Sequence, residues 1–314
     1  MTSINPDIKK SKLLYLIAHI ANRIVLPGFK GNSLYVVGKT LIQNIREHRL
    51  NIRGAAVTYN FFMAIPPSLL FFASLLPYFP LKGAEESILT IIKVISPNEK
   101  SYNSLRNIVS DFLNNERREV LSFGILSTFF FSSNGMMGLM RTFDRSHDLY
   151  VKRTGLKRRW IALKLTAVML FVIILTIAAL IIQTNYINSF IEQYIQYVML
   201  VKVVTLIIII LMIFLAVCMI YTYGPSLRYR FPFFSVGAVF SIFAIVLTTS
   251  VFFSLAKNVI QYNKIYGSIG TLMAFMIWLF LNTQVILLGY ELNLSVMINS
   301  LRNRKSHNVP DKKV

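Results

Sequence analysis

The stretch from Ser268 to Ile298 reads S-I-G-T-L-M-A-F-M-I-W-L-F-L-N-T-Q-V-I-L-L-G-Y-E-L-N-L-S-V-M-I. It is too long and too apolar for a surface helix of a soluble protein. A helix rises about 1.5 Å per residue, so some 20 apolar residues cross the roughly 30 Å hydrocarbon core of a bilayer. Within that core only helices and closed barrels satisfy their own backbone, and an unbroken run of this length is a helix signal. Similar runs precede it, of which V-V-T-L-I-I-I-I-L-M-I-F-L-A-V and L-T-A-V-M-L-F-V-I-I-L-T-I-A-A-L-I-I are the clearest. The expected fold class is all-α: a polytopic membrane protein with six transmembrane helices, at about 55–80, 119–141, 161–183, 201–223, 234–257 and 268–298, plus short amphipathic extramembrane helices.

Glu291 is the single acidic residue of that last run. A carboxylate at the bilayer centre costs about 2.5–3.5 kcal/mol on insertion scales, so such a group faces protein or water and is a functional candidate by default. Gln284 lies seven residues earlier, on nearly the same line of the helix. This line is expected to face the bundle interior, with Glu291 partnered by a basic or amide side chain; Arg228 and Arg145 are candidates. Tyr59 and Asn60, Asn134, and Asn282 and Asn293 are the other polar groups within spans. For the amides the plain alternative is interhelical hydrogen bonding, worth roughly 0.6 kcal/mol on average. Pro66 and Pro67 fall near the middle of the first span, where proline removes a helix bond and clashes with the preceding turn, so a bend or break is expected.

Amphipathic stripes flank the spans. Leu34, Val37, Leu41 and Ile45 form one. Ile88, Ile91, Ile92 and Ile95 form a second, and Leu105, Ile108, Val109, Phe112 and Leu113 a third. Ile187, Phe190, Ile191, Tyr194, Ile195 and Val198 form a fourth. Each fits an interfacial helix or a helix packed on the bundle.

Composition agrees: 55% of residues are hydrophobic, with 24 Phe and 15 Tyr. The net charge of +20 would raise nucleic acid as a partner in a soluble chain, but here the basic residues cluster between apolar runs. The segments 1–53, 141–164, 224–233 and 299–314 hold nine, eight, two and five of the 33 Lys and Arg. This bias places those segments, and both termini, in the cytoplasm. The organisation expected is a basic cytoplasmic segment 1–53, a membrane domain 54–298 with an extracytoplasmic segment 82–118, and a basic tail 299–314. No secretory leader is expected, because the first strong apolar run begins near Ala55. Cys218, the lone cysteine, offers no disulfide or redox pair.

The loop after the second span is strongly basic. Arg145, Lys152, Arg153, Lys157, Arg158 and Arg159 either anchor the topology or contact anionic lipid head groups. No catalytic constellation is found. The four histidines, His19, His48, His147 and His307, lack metal-ligand spacing, and neither a phosphate-binding P-loop nor a serine-nucleophile elbow occurs. No enzyme activity, cofactor, metal or nucleic-acid partner is therefore expected.

Several blocks resemble one family. They are Thr58-Tyr59-Asn60-Phe61 with Ala64-Ile65-Pro66-Pro67; Asn134-Gly135 followed by Arg141-Thr142-Phe143-Asp144; and Tyr221-Thr222-Tyr223-Gly224-Pro225 with Gly237-Ala238. The most specific is Tyr262-Asn263-Lys264-Ile265-Tyr266-Gly267-Ser268-Ile269-Gly270, then Trp278, then Leu287-Leu288-Gly289-Tyr290-Glu291-Leu292-Asn293. In order and spacing they resemble the YihY/BrkB family over about 50–295. Asp144 departs from the Asn of many members. The resemblance implies a bacterial multi-pass inner-membrane protein with six helices, from a family once mislabelled as a ribonuclease, with members named as virulence factors and transport suggested. A transporter or exporter of an anionic or lipidic compound is the leading expectation. The alternative is a non-transporting scaffold or envelope-integrity factor. A ribonuclease would need a cytoplasmic metal or acid–base site, and none is seen. Substrate, coupling ion and oligomeric state stay open.

Overall fold

The computed structural model describes residues 12–47, 49–75, 99–114, 118–144, 149–190, 195–259 and 268–307, with Leu89 and Lys93 besides. Its helices are α1 (Lys12–Arg23), α2 (Leu34–Glu47), α3 (Leu50–Leu75), α4 (Glu99–Asn114), α5 (Arg118–Phe143), α6 (Gly155–Phe190), α7 (Ile195–Tyr223), α8 (Val236–Val259) and α9 (Ser268–His307). β pairing among the described residues is a single antiparallel bridge, Tyr150 to Leu227. The chain is an all-α polytopic membrane protein. Five helices are long and apolar enough to cross a bilayer, over Leu50–Phe72, Gly155–Leu180, Met199–Tyr223, Val236–Leu255 and Leu272–Arg304. The sixth expected span falls on α5. That helix matches α3 in length at 26 residues, but Ser122, Ser127, Thr128, Ser132, Ser133 and Asn134 lower its apolar character.

Lipid tails are as apolar as leucine, so helices in a bilayer associate through close approach and hydrogen bonds rather than through burial of apolar area. The antiparallel α3–α5 pair shows the first. A Cβ on Gly124 would lie 3.0 Å from the Phe71 Cα, and one on Gly135 2.7 Å from the Phe61 ring. At Gly138 it would lie 3.3 Å from the Asn60 amide. These glycines share one face, and α3 packs into the groove they leave. The α8–α9 pair shows both devices. A Cβ on Gly237 would collide with the Gly289 carbonyl. Further along, Trp278 Nε1 donates to Thr249 Oγ1 at 3.3 Å.

At about 60 Å, α9 is twice as long as the hydrocarbon core is thick, and its last turns carry α2. Asn44 Nδ2 donates to Ser295 Oγ at 3.4 Å, Asn299 Nδ2 to Thr40 Oγ1 at 3.0 Å, and Asn303 Nδ2 to Asn32 Oδ1 at 3.0 Å. Helix starts are capped by side-chain oxygens that accept orphan amides. Thr154 Oγ1 accepts from Lys157 N at 3.4 Å, and Ser235 Oγ from Ala238 N at 3.3 Å.

The main core lies at one end of the bundle. It joins Leu50 and Val57 at the start of α3, Met136 to Phe143 at the end of α5, and Ala162 and Leu165 at the start of α6. Val217 to Tyr221 at the end of α7, Ala238 near the start of α8, and Leu287 to Met297 on α9 complete it. The basic loops lie at this same end.

Three features differ from the sequence expectations. Of the bend or break expected at Pro66 and Pro67, the break does not occur: α3 is one continuous helix, because a membrane helix missing two amide donors still has no better way to satisfy the rest of its backbone. The stripe from Ile187 to Val198 does not form a separate helix: its ends extend α6 and α7, and residues 191–194 lie outside the described region. α1 was not expected. The Ile88–Ile95 stripe also lies outside, apart from Leu89 and Lys93.

Candidate functional site

Glu291 is 1% exposed, the most deeply buried acidic side chain among the described residues. Two contacts fix the register of α9 against its neighbours. Toward the bundle, the Gln284 amide packs where Gly54 of α3 has no side chain; a Cβ there would collide with it. Toward the basic end, Ser295 meets Asn44 of α2. Glu291 therefore sits level with the turn joining α2 to α3, beside the N-terminal turn of α3. That turn carries the positive end of a helix dipole, which favours a nearby carboxylate. Ser295 Oγ donates to the Glu291 carbonyl at 2.8 Å, and Asn299 Nδ2 to the Ser295 carbonyl at 2.9 Å. Gln284, Glu291, Ser295 and Asn299 thus form a polar file down one side of α9. No acceptor among the described residues faces Gln284 Nε2.

Asn293 faces a different neighbour. Its Oδ1 accepts from Gly237 N at 2.7 Å and its Nδ2 donates to Ser235 Oγ at 2.8 Å, so it binds the start of α8. Two tyrosines lie close by. Tyr290 Oη donates to the Phe143 carbonyl at 3.1 Å, so in its 2.8 Å contact with Tyr150 it is the acceptor. Tyr221 Oη donates to the Ile286 carbonyl at 2.6 Å and accepts from Ser241. The rings of Phe143 and Tyr290 stack with centroids 4.2 Å apart. Tyr221 was noted only as part of a family block, and Ser241, Tyr150 and Ser226 were not singled out in the sequence, since no spacing links residues that meet from separate elements.

The basic loop is a clamp. Asp144, just past α5, accepts from Ser226 N at 2.9 Å and Ser226 Oγ at 2.6 Å with one oxygen, and from Arg158 Nη2 at 3.1 Å with the other. Arg153 donates to the Gly224 and Pro225 carbonyls at 2.8 and 2.7 Å. Burial pushes its guanidinium below the ordinary arginine value; Asp144 opposes that shift, and Arg230 and Arg158 add to it. Backbone pairing closes the clamp: Val151 N to Ser226 O at 2.7 Å and Arg228 N to Leu149 O at 2.8 Å. The Gly224 amide caps α7 on the Ile220 carbonyl at 2.9 Å, and a Cβ at Gly224 would collide with that oxygen. Arg230 lies over the Tyr223 ring at 5.5 Å.

The basic residues of the loop have different surroundings. Arg153 and Arg158 are spent on carbonyls and on Asp144. Lys152 and Lys157 are exposed. Arg159 donates to Asn134 Oδ1 at 2.5 Å. Arg145 lies outside the described residues. Arg228, a candidate partner for Glu291, is exposed and stays in the loop strip. Tyr59 is 58% exposed on the outer side of α3, away from the buried Val57 and Thr58, and Asn60 turns its amide onto the Ala56 carbonyl at 2.8 Å. Neither joins the Glu291 file. Pro66 is exposed and Pro67 half-buried, while Gly270 is buried in the first turn of α9. Tyr262, Asn263, Tyr266 and Gly267 lie outside the described residues. Among the described residues no three His, Cys, Asp or Glu side chains gather where a metal could bind.

The sequence profile of the virulence factor BrkB family matches residues 41–313, from within α2 to the end of the tail. The chain belongs to the virulence factor BrkB family. A BrkB-family relative in Bacillus subtilis (strain 168), the protein named as ribonuclease-like YfkH, is 24% identical over 258 residues, covering 81% of this chain and 93% of YfkH. No solved structure matches. The BrkB match takes in both the Glu291 file and the Asp144 clamp.

Proposed function

We propose that this BrkB-family protein is a transporter or exporter of the bacterial inner membrane, with both termini in the cytoplasm, and that its cargo is an anionic or lipidic compound. The observation that carries the reading is the buried file on α9. Glu291 is held inside a membrane bundle on a polar line that runs from Gln284 to Asn299. A carboxylate in such a place is expensive, and membrane proteins retain one where an ion or substrate passes or where a gate is held shut. The Asp144–Ser226–Arg158 clamp and the stacked Phe143 and Tyr290 close the basic end. In this reading they mark a state shut toward the cytoplasm. The word ribonuclease in the name of YfkH belongs to that protein; among the described residues no three His, Cys, Asp or Glu side chains gather where a metal could serve phosphodiester chemistry.

A second reading, a scaffold that moves nothing, is favoured by the dense packing at the basic end. One experiment separates them. A deletion strain is profiled for lipids and metabolites, then complemented with wild type or with Glu291→Gln at equal membrane abundance. Transport predicts compounds that accumulate on deletion, return to normal with wild type and stay accumulated with the variant. Full restoration by Glu291→Gln removes the charged role, and a profile unchanged by deletion favours the scaffold.

A further inference from the structure

The link between α1 and α2 is tied at several points. Ser33 Oγ donates to Asn22 Oδ1 at 2.9 Å, Leu34 N to the Ile24 carbonyl at 2.9 Å, and Asn32 Nδ2 to the Phe29 carbonyl at 2.8 Å. Phe29 N closes a turn on the Leu26 carbonyl at 3.1 Å, and Gly28 takes the left-handed backbone that glycine favours. This frame sends Phe29 inward, where it is buried with Val37 and Val296. It leaves Ile24, Val25 and Leu26 outward, 40%, 53% and 41% exposed, with Ile20 exposed one turn earlier on α1. An apolar patch held open in this way marks a contact with a partner or a membrane.

The place of the turn says which. A Cβ on Gly28 would collide with the Val236 side chain. Val236 is the first residue of α8 and of its membrane span Val236–Leu255. It shares a helix face with Val239, Phe240, Phe243 and Leu247, at i+3, i+4, i+7 and i+11, and those four are exposed. Ala238 and Ser241, on the other side of α8, are buried. The turn therefore sits at the head of a lipid-facing stripe, at the level where α8 enters the bilayer, and not over the bundle axis. Charge agrees. From Ile8 to Arg46 the sequence holds seven Lys and Arg and no Asp or Glu. Arg23 and Lys30 flank the apolar run and are exposed. Such a segment is attracted to the anionic surface of a leaflet, and the same charges would repel a second copy seated there.

We propose that the Ile24–Leu26 turn is a wedge inserted into the leaflet at the basic end of the bundle, with its three apolar side chains below the head groups and Arg23 and Lys30 at the level of the phosphates. Apolar faces of interfacial segments sink about 5–10 Å into the boundary of head groups and acyl chains. The wedge holds the start of α2 to the membrane, and α2 lies along the end of α9 through Asn44 and Thr40. It does not depend on transport.

The test places a cysteine at Val25 in the full chain, labels it with an environment-sensitive fluorophore and reconstitutes the protein in vesicles of phosphatidylcholine and phosphatidylglycerol. Cys218 is buried and takes little label. Arg304→Cys, exposed on the end of α9, is the aqueous reference, and Leu26→Cys gives a second reading if Val25→Cys fails to fold. The Val25 label should emit to the blue of the Arg304 label. It should be quenched several-fold more strongly by lipids carrying a nitroxide near the top of the acyl chain than by lipids carrying one near its end, and it should resist aqueous iodide. Quenching by iodide as strong as at Arg304 overturns the proposal. Protection from both quenchers overturns it too, because protein then covers the turn. Relief of that protection on deleting residues 1–11 would assign the cover to that segment, and its persistence to a second copy.

Discussion

Asp144 does the most at the residue scale. One carboxylate, just past α5, holds a backbone amide and a hydroxyl from the loop after α7 and a guanidinium from α6. Hydrogen bonds to a charged group are worth about 1.5–3 kcal/mol, and a buried donor left without its acceptor costs a further amount of similar size. Asp144→Ala should therefore lower stability by about 3 kcal/mol, read as a fall in the thermal unfolding midpoint of the purified protein. Asp144→Asn keeps an oxygen for Ser226 and loses the partly exposed ion pair. Its cost should be about 1 kcal/mol, as for a partly solvated pair. Equal costs for the two variants would assign the stability to the ion pair rather than to Ser226. At Glu291 the expectation is different in kind: the glutamine variant keeps the shape, so its loss should show in transport and not in membrane abundance.

Between elements, glycines decide how near the helices come. Gly237→Ala drives a methyl into the Gly289 backbone carbonyl, which cannot swing aside as a side chain would. The α8–α9 pair should part, at a cost of about 1–3 kcal/mol. Gly38 on α2 has open space at its Cβ, so Gly38→Ala should stabilise by up to about 1 kcal/mol through helix propensity alone. Opposite shifts in the unfolding midpoints of these two variants would check the packing; shifts of the same sign would contradict it. Pro66 and Pro67 teach a related lesson. Proline chemistry predicts a bend or a break, and no break occurs: α3 continues through both, because in lipid every other backbone group of that helix still needs its internal partner.

For the whole molecule the basic bias implies an orientation. Cysteines introduced at Ser3, Ser104 and Ser306 should report it. An impermeant thiol reagent should label Ser104→Cys in intact cells, and the other two only after permeabilisation. The native Cys218 is buried and gives little background. Labelling at either terminal site would reverse the orientation. The core at the basic end fits a bundle anchored on that side, where α9 runs past the hydrocarbon core to hold α2 through two side-chain hydrogen bonds and the turn before it through a third.

The membrane class and the helical fold follow from sequence alone, because a bilayer admits few ways to satisfy a backbone and apolar run length reports which one is used. Glu291 stood out for the same reason: a lone carboxylate in such a run is conspicuous without any structure. The partners were not legible. Asp144 and Ser226 are 82 positions apart, and Asn44 and Ser295 are 251 apart. No periodicity links such pairs, since helix register constrains only neighbours three or four residues away. The arginines of one loop read as a uniform basic run. Only tertiary packing sorts them, turning Arg153 to the carbonyls that end α7, Arg158 to Asp144, and Arg159 to Asn134 of α5. Charge is a property of the residue, but its use depends on which oxygen the fold brings within about 3 Å.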